Sequence, residues 1–394
     1  MVIITGREGT LRYPFRIWAE IDLEALAWNL ARIRREIAPR QGIILVVKAD
    51  AYGHGATLLA RRAEAEGVAM FGVGNCREAL ELLEAGVKRP VLILGTIIDE
   101  EISTVAREGI HVGVHSSSRL DRFSSEALRA RRRLRVHLNV DTGMGRLGVF
   151  PREAPRLAEE ILSRPGLELA GIYTHFAFAS FPPSREMREQ ERTFSAVVAD
   201  LRRRGLLPRT AIVHGANSAA LFAGLGEGYD AVRPGLAAYG ILPGEFPAAR
   251  DLEPVLSLRS QVIFYKDVPA GAQVGYEGTW KAPKPTRIAT VPVGFNDGIP
   301  WRLGLQRGAF ALVRGRRVPF AGRVSMDYLC LDIGDVPGVQ VGDPVTLIGR
   351  DGGEEITAME LARLAGTTPY EILSRLGKRV RRVALHQRTG TFHS

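Results

Sequence analysis

Eight short aliphatic runs recur along the first two thirds of the chain, each separated from the next by a helical stretch. They are GIILVVK from Gly42, AMFGVG from Ala69, PVLILG from Pro90, IHVGVH from Ile110, LRVHLNV from Leu134, LELAGIYTH from Leu167, AIVHG from Ala211 and YDAVRP from Tyr229. Strands this apolar on both sides belong to a parallel sheet with helices on each face. Eight repeats predict a closed (β/α)8 TIM-type barrel, with an open doubly wound sheet as the competing architecture. Between the runs, CREALELLEAG stops at Gly86, and SREMREQERTFSAVVADLRRRG runs from a Ser184 cap to Gly205. Ahead of them, IDLEALAWNLARIRREI sets Leu23, Leu26, Leu30, Ile33 and Ile37 on one helical face after an Asp22 cap.

After Leu252 the texture changes. VLSLRSQVIFYKDV, TRIATVPVG, AFALVRGRRVPFAGRV, YLCLDIGDV and DPVTLIG read as strands joined by Gly and Pro turns, followed by short helices around TAMELARLAG and PYEILSRLGKR. The expected division is a barrel domain over 12–252 and a mostly-β C-terminal domain over 253–394, with residues 1–11 packing on the latter.

Of the 394 residues, 45% are hydrophobic and 24% charged, an ordinary globular balance. Cys76 and Cys330 are too few for a disulfide framework and have no metal-ligand spacing, so free thiols in a reducing compartment are expected and no metal. No apolar stretch is long enough to span a bilayer, and MVIITGREGTLRYPFRIWAEID lacks a cleavage pattern. The expectation is a cytoplasmic protein with no membrane partner. The net charge of +10 and the run RARRRLR raise nucleic-acid binding. Arginines are spread over every predicted helix, however, and no binding motif or interleaved aromatic residue accompanies the run, so no nucleic-acid partner is expected.

Polar residues collect at the carboxyl ends of the strands. Lys48 ends the first, His115 the fourth, His175 the sixth, His214 the seventh and Arg233 the eighth, while DTGMGRLG (Asp141 to Gly148) follows the fifth. That is the face on which barrel enzymes build their sites. A desolvated lysine titrates low, and its neutral amine attacks aldehydes. VRPGLAAYG offers the Gly235 and Leu236 amides at a helix start, and HGANSAA offers the Ser218 hydroxyl, all suited to an anion. Amine and phosphate donors together read as a pyridoxal phosphate site. Taken singly, a strand-end lysine is more often a surface residue, and a Gly-rich loop more often a turn.

VVKADAYGHGA, DTGMGRLG, YTHFA, HGANSAA, VRPGLAAYG, VGYEGTW, GRVSMDY and PYEILSRL resemble the successive motifs of the bacterial alanine racemase family, in order and across nearly the whole chain. The resemblance implies a barrel dependent on pyridoxal 5'-phosphate, followed by a β domain. It also implies a homodimer in which each active site is completed by the partner. Lys48 resembles the lysine that bonds the cofactor and serves as one base. Tyr276 resembles the second base, supplied to the opposite face by the other subunit. Inverting a stereocentre needs a proton removed on one side and returned on the other. A phenol with a reference pKa of about 10 needs neighbours to make it a base, and His175 is the family's orienting residue.

By the same resemblance, Arg233 faces the pyridine nitrogen and leaves it without a proton, which weakens the ring as an electron sink. Tyr52, Ser218, Gly235, Leu236 and Tyr370 match the phosphate ligands. Arg146 and the Met326 amide match contacts to the ring hydroxyl and the substrate carboxylate. His54, His214 and Asn217 read as supporting residues and Asp327 as a turn residue. His111, His137, His386 and His393 carry no motif and read as surface or satisfied-core histidines.

Three departures stand out. Asn139 replaces a lysine that the family often carbamylates, so Arg146 needs another partner. THFAFAS puts Ser180 in place of an acidic residue, and GFNDGIPW puts Phe295 for a tyrosine and Trp301 for an arginine, which implies a more apolar access path. The expected activity is interconversion of L- and D-alanine for cell-wall precursor supply. A broader amino-acid racemase and a barrel-type decarboxylase are the alternatives, although a decarboxylase calls for an acidic group where Arg233 stands. A single-barrel pyridoxal-phosphate-binding protein would lack Tyr276 and its domain.

Overall fold

The computed structural model describes residues 4–5, 11–12 and 14–385, except 179 and 307. His386 and His393 lie outside the described residues, as does most of the 1–11 segment. The chain divides into two compact units: Glu24–Glu253, and Met1–Leu23 with Pro254–Ser394.

The first of these units is the barrel. Its strands are β1 (Gly42–Val46), β2 (Met70–Val73), β3 (Val91–Ile93), β4 (His111–Val114), β5 (Leu134–Asn139), β6 (Leu167–Tyr173), β7 (Ile212–Asn217) and β8 (Ala231–Arg233). All pair in parallel, and β8 closes onto β1 through Ala231↔Gly42 and Val232↔Ile43. Closure removes every sheet edge. The aliphatic runs are apolar because they are buried on both faces: Ile43, Ile44 and Leu45 are each 1% exposed or less. Ile44, Met70, Leu92 and Ala231, drawn from β1, β2, β3 and β8, fill one layer of the interior.

The helices start where the sequence signals them. Asn75 accepts from the Glu78 amide ahead of Cys76–Glu84, and Ser184 Oγ accepts from the Met187 amide ahead of Arg185–Arg203. The long helix buries Met187, Phe194 and Leu201, its apolar stripe.

In the other unit, a sheet runs in the order Arg316–Pro319, Phe310–Val313, Pro344–Asp351, Leu256–Gln261, Ile17–Asp22, Arg381–Leu385. Ile17–Asp22 pairs antiparallel with Leu256–Gln261 and parallel with Arg381–Leu385. This strand falls inside the expected barrel range of 12–252, yet its backbone bonds place it with strands from beyond residue 254. A second sheet joins Phe264–Val268, Thr286–Val291 and Leu329–Asp332. Gln273–Val274 and Trp280–Lys281 form a small ribbon with Tyr276–Gly278 at its turn. Helices Ala358–Ala365 and Pro369–Ser374 begin at Thr357 and Thr368 caps.

Candidate active site

β1 delivers Lys48 through an unusual turn. Ala49, Asp50, Ala51 and Tyr52 all take left-handed backbone angles, with φ of 51, 54, 52 and 54°. An L-residue gives up about 1–2 kcal/mol in that conformation, so neighbours must hold the turn. The Glu78 carboxylate accepts from the Ala49 amide at 2.9 Å and from the Gly74 amide at 2.7 Å. Asp50 Oδ1 accepts from the Ala56 amide at 2.7 Å, and Gly53 and Gly55 complete the reversal. Lys48 reaches solvent, but the surrounding barrel wall desolvates its amine and pulls its pKa below the usual lysine value. Arg146 lowers it further, Glu78 opposes, and Arg233 adds to the lowering. The result is an amine biased toward its neutral, nucleophilic form.

Arg233, at the end of β8, is 3% exposed. Its Nη1 donates to His214 Nδ1 at 3.0 Å, and its Nη2 donates to the Thr174 carbonyl at 2.7 Å and to His175 Nδ1 at 3.4 Å. Burial pulls its pKa down to about 10, against a raising influence from Tyr173 and Tyr229. His175 is held down to about 3 by burial and then by Arg233, Arg146 and Lys48, so the ring is neutral.

Tyr52, Ser218 and the backbone at 235–237 form a cradle. Ser218 Oγ accepts from the Gly235 amide at 3.0 Å and from the Ala237 amide at 3.3 Å, which brings Leu236 to the same spot. A Cβ on Gly235 would stand 2.9 Å from the Tyr52 hydroxyl, so only glycine allows that phenol against this backbone. Tyr239 Oη donates to the Val46 carbonyl at 2.6 Å, and its ring stacks on His54 at 4.7 Å, which fixes the floor of the turn. Asn217 is the cap of Ser218–Phe222.

Arg146 lies exposed on the loop after β5. Asp141 shapes that loop, its Oδ1 accepting from the Gly143, Met144 and Gly145 amides at 3.0, 2.9 and 3.1 Å. Among the described residues Asn139 does not serve as a partner for Arg146; its amide donates to His115 Nδ1 at 3.2 Å, while His115 Nε2 meets the Gly95 carbonyl at 3.1 Å.

The barrel thus brings together Lys48, Tyr52, His175, Ser218, Arg233, Gly235 and Leu236, with the charge of Arg146 felt at Lys48. On the other unit, Tyr276 is 69% exposed on its turn, where Glu277 at φ 60° pairs with Arg323 at 2.8 Å. The Met326 carbonyl accepts from the Asn296 amide at 3.2 Å, and Tyr370 opens the helix Pro369–Ser374. Asp327 is more than a turn residue, since it pairs with Arg379 at 2.7 Å. Phe295 and Trp301 line a cavity of about 650 Å³ that keeps Arg302 and the Arg375–Glu371 ion pair on its wall. Sequence reasoning passes over Glu78 and takes Asp141 only as the first residue of DTGMGRLG; a carboxylate carries no signal until the turn it holds is known.

An amine, a buried arginine and a hydroxyl–amide cradle gathered at the carboxyl ends of a (β/α)8 barrel are the layout of a barrel-type enzyme. Two family models match the chain, the alanine racemase N-terminal domain over residues 21–243 and the C-terminal domain over 255–384. An alanine racemase of Symbiobacterium thermophilum is 40% identical, covering 93% of this chain and 96% of the relative. One of Chlorobaculum tepidum is 40% identical over 93% of this chain and 95% of its own. Among solved structures, the Streptomyces lavendulae alanine racemase superposes with a TM-score of 0.87 at 34% identity, covering 95% of this chain and 98% of that one. The Bacillus anthracis alanine racemase with bound L-Ala-P gives 0.85 at 35%, covering 95% and 96%. The chain belongs to the alanine racemase family.

Proposed function

We propose that this enzyme interconverts L- and D-alanine with pyridoxal 5'-phosphate, using Lys48 and Tyr276 as bases on opposite faces of the substrate. The observation that carries the reading is the Lys48 amine at the carboxyl end of β1, held below the usual lysine pKa by partial burial and by the charges of Arg146 and Arg233. The residues fit the cofactor: the space at Gly235 that a Cβ would fill is bordered by the Tyr52 hydroxyl, and Ser218 gathers the adjoining amides. When bound, the cofactor supplies the electron sink that acidifies the substrate Cα–H.

Tyr52, Ser218, Gly235, Leu236 and Tyr370 hold the phosphate. Lys48 anchors the carbonyl carbon and carries a proton at Nζ. Tyr276 carries one at Oη, with His175 orienting it. Arg146 and the Met326 amide hold the ring hydroxyl and the substrate carboxylate. Arg233 would face the pyridine nitrogen and, because a guanidinium keeps its proton, would leave the bound cofactor a weak electron sink suited to simple proton return. Its partners, His214, Thr174 and His175, are neutral.

The barrel domain carries the cofactor and the C-terminal domain the second base, in a homodimer whose sites are shared. Exposed Tyr276, Met326 and Tyr370, at 69, 56 and 44%, suit residues that a partner covers. The product is D-alanine for peptidoglycan, made in the cytoplasm. A broader substrate range is the second reading, favoured by Phe295 and Trp301 on the cavity wall. Purified protein is expected to be yellow, with borohydride fixing the cofactor on the Lys48 peptide and chiral chromatography finding D-alanine made from L-alanine first among a panel of amino acids. Labelling of another lysine refutes the anchor; faster racemisation of a larger amino acid refutes the preference.

A further inference from the structure

Three histidines, of which only His214 belongs to a sequence motif, form a line through the barrel interior. His111 opens β4, His137 lies in β5 and His214 in β7. His111 Nδ1 lies 3.0 Å from His137 Nε2, and His137 Nδ1 lies 2.9 Å from His214 Nε2. His214 Nδ1 in turn meets Arg233 Nη1. The rings are 5, 0 and 0% exposed. The line has to cross β6, and there the sequence supplies a glycine. Gly171 pairs with His137 on one side and Ile212 on the other, and a Cβ on it would stand 2.3 Å from the His137 ring.

Protons in this line have one arrangement. A guanidinium only donates, so His214 Nδ1 accepts and its hydrogen sits on Nε2. That hydrogen points at His137 Nδ1, which puts the hydrogen of His137 on Nε2 as well, facing His111 Nδ1. Burial holds all three rings well below the usual histidine pKa, so each is neutral. Every ring accepts on its Arg233 side and donates away from it. Hydrogen bonds in series polarise one another, and the lone pair offered to Arg233 is strengthened by the two rings behind it. Among the described residues no carboxylate pairs with Arg233. The aligned dipoles stand where a counter-ion would otherwise be needed.

We propose that His137 and His111 are positioning residues for Arg233, forming with His214 a neutral, one-way hydrogen-bonded chain that keeps the guanidinium aimed and protonated. This rests on the reading of Arg233 as the partner of the pyridine nitrogen. A loosened Arg233 lets that nitrogen gain a proton, which strengthens the sink and diverts turnovers into transamination.

Two measurements on the holoenzyme test it. In ¹⁵N-histidine NMR, the three rings are expected as neutral Nε2–H tautomers at neutral pH; an Nδ1–H tautomer or a charged ring among them overturns the chain. In kinetics, His137→Leu is expected to lower kcat and raise keto acid released per racemisation, each by up to about tenfold, the upper scale of one lost hydrogen bond between neutral groups. KM is expected to change by less than about twofold. His137→Gln, which can accept on one side and donate on the other, restores the wild-type ratio, and His111→Leu shifts it in the same direction by a smaller factor. A merely structural role would lower thermal stability and cofactor occupancy and leave that ratio alone. Arg233→Glu is the control: if it raises the ratio and fully loaded His137→Leu does not, the positioning role is overturned and the Arg233 reading survives. If neither raises it, both fall.

Discussion

Arg233 is a cation in an interior that, among the described residues, gives it only neutral acceptors. Leaving a charge there is costly unless its hydrogen bonds are met, and His214 and Thr174 meet them. On the proposed reading of Arg233, exchange for a carboxylate would reverse the preference at the pyridine nitrogen, from a received hydrogen bond to a bound proton. Arg233→Glu is therefore expected to lose racemisation by about a hundredfold or more, the usual cost of a misplaced electrostatic partner, and to gain a long-wavelength absorbance band with side transamination. Normal racemisation with neither signature would remove the electronic role. The identity of Arg233 was legible in VRPGLAAYG, but its partners were not. His137 and His214 sit 77 positions apart, and only closure of the barrel, with Gly171 between them, makes them neighbours.

At the level of elements, the segment Lys48–Tyr52 is where the sequence misleads. KADAY holds ordinary residues with right-handed preferences, and nothing in it announces four left-handed angles in a row. Glu78, from a helix beyond β2, supplies the constraint, so the turn is a tertiary product. Removing it leaves two backbone N–H groups without an acceptor. Glu78→Ala is expected to cost about 1–3 kcal/mol of stability in chemical denaturation, with Glu78→Gln costing less because an amide oxygen still accepts. The charge has a separate effect. Glu78 raises the Lys48 pKa, so the Gln variant moves the amine's titration further toward acid, read as the pH dependence of its reaction with an acylating reagent in cofactor-free protein. An unmoved profile would show that Glu78 acts on the backbone alone. The eight strands, by contrast, were legible throughout, because near-continuous apolar runs leave a strand no other place.

At the scale of the whole molecule, the proposed shared site is testable because Lys48 lies in one unit and Tyr276 in the other. Lys48→Ala and Tyr276→Phe homodimers are each expected to be nearly inactive. In a mixed dimer one site takes Lys48 from one chain and Tyr276 from the other and is whole, while its twin lacks both. Doubly tagged dimers purified from co-expression are expected to regain about half of wild-type racemisation. Verified hybrids with cofactor that stay as inactive as their parents would mean that each site lies within one chain, or that Tyr276 is not the second base.

The sheet that holds Ile17–Asp22 sets an order of events during synthesis. Its neighbours on either side, Leu256–Gln261 and Arg381–Leu385, emerge only after the whole of Glu24–Glu253. At about 5–20 residues per second, the leading strand stays unpaired on the ribosome for roughly ten to fifty seconds while the barrel is being made. Nascent chains stalled just past the barrel are expected to carry a protease-resistant core and a cleavable leader, and a protected leader at that length would show that another partner holds it. The barrel is thus an insertion in the other domain, and Ile17–Asp22 waits for Leu256–Gln261 and Arg381–Leu385.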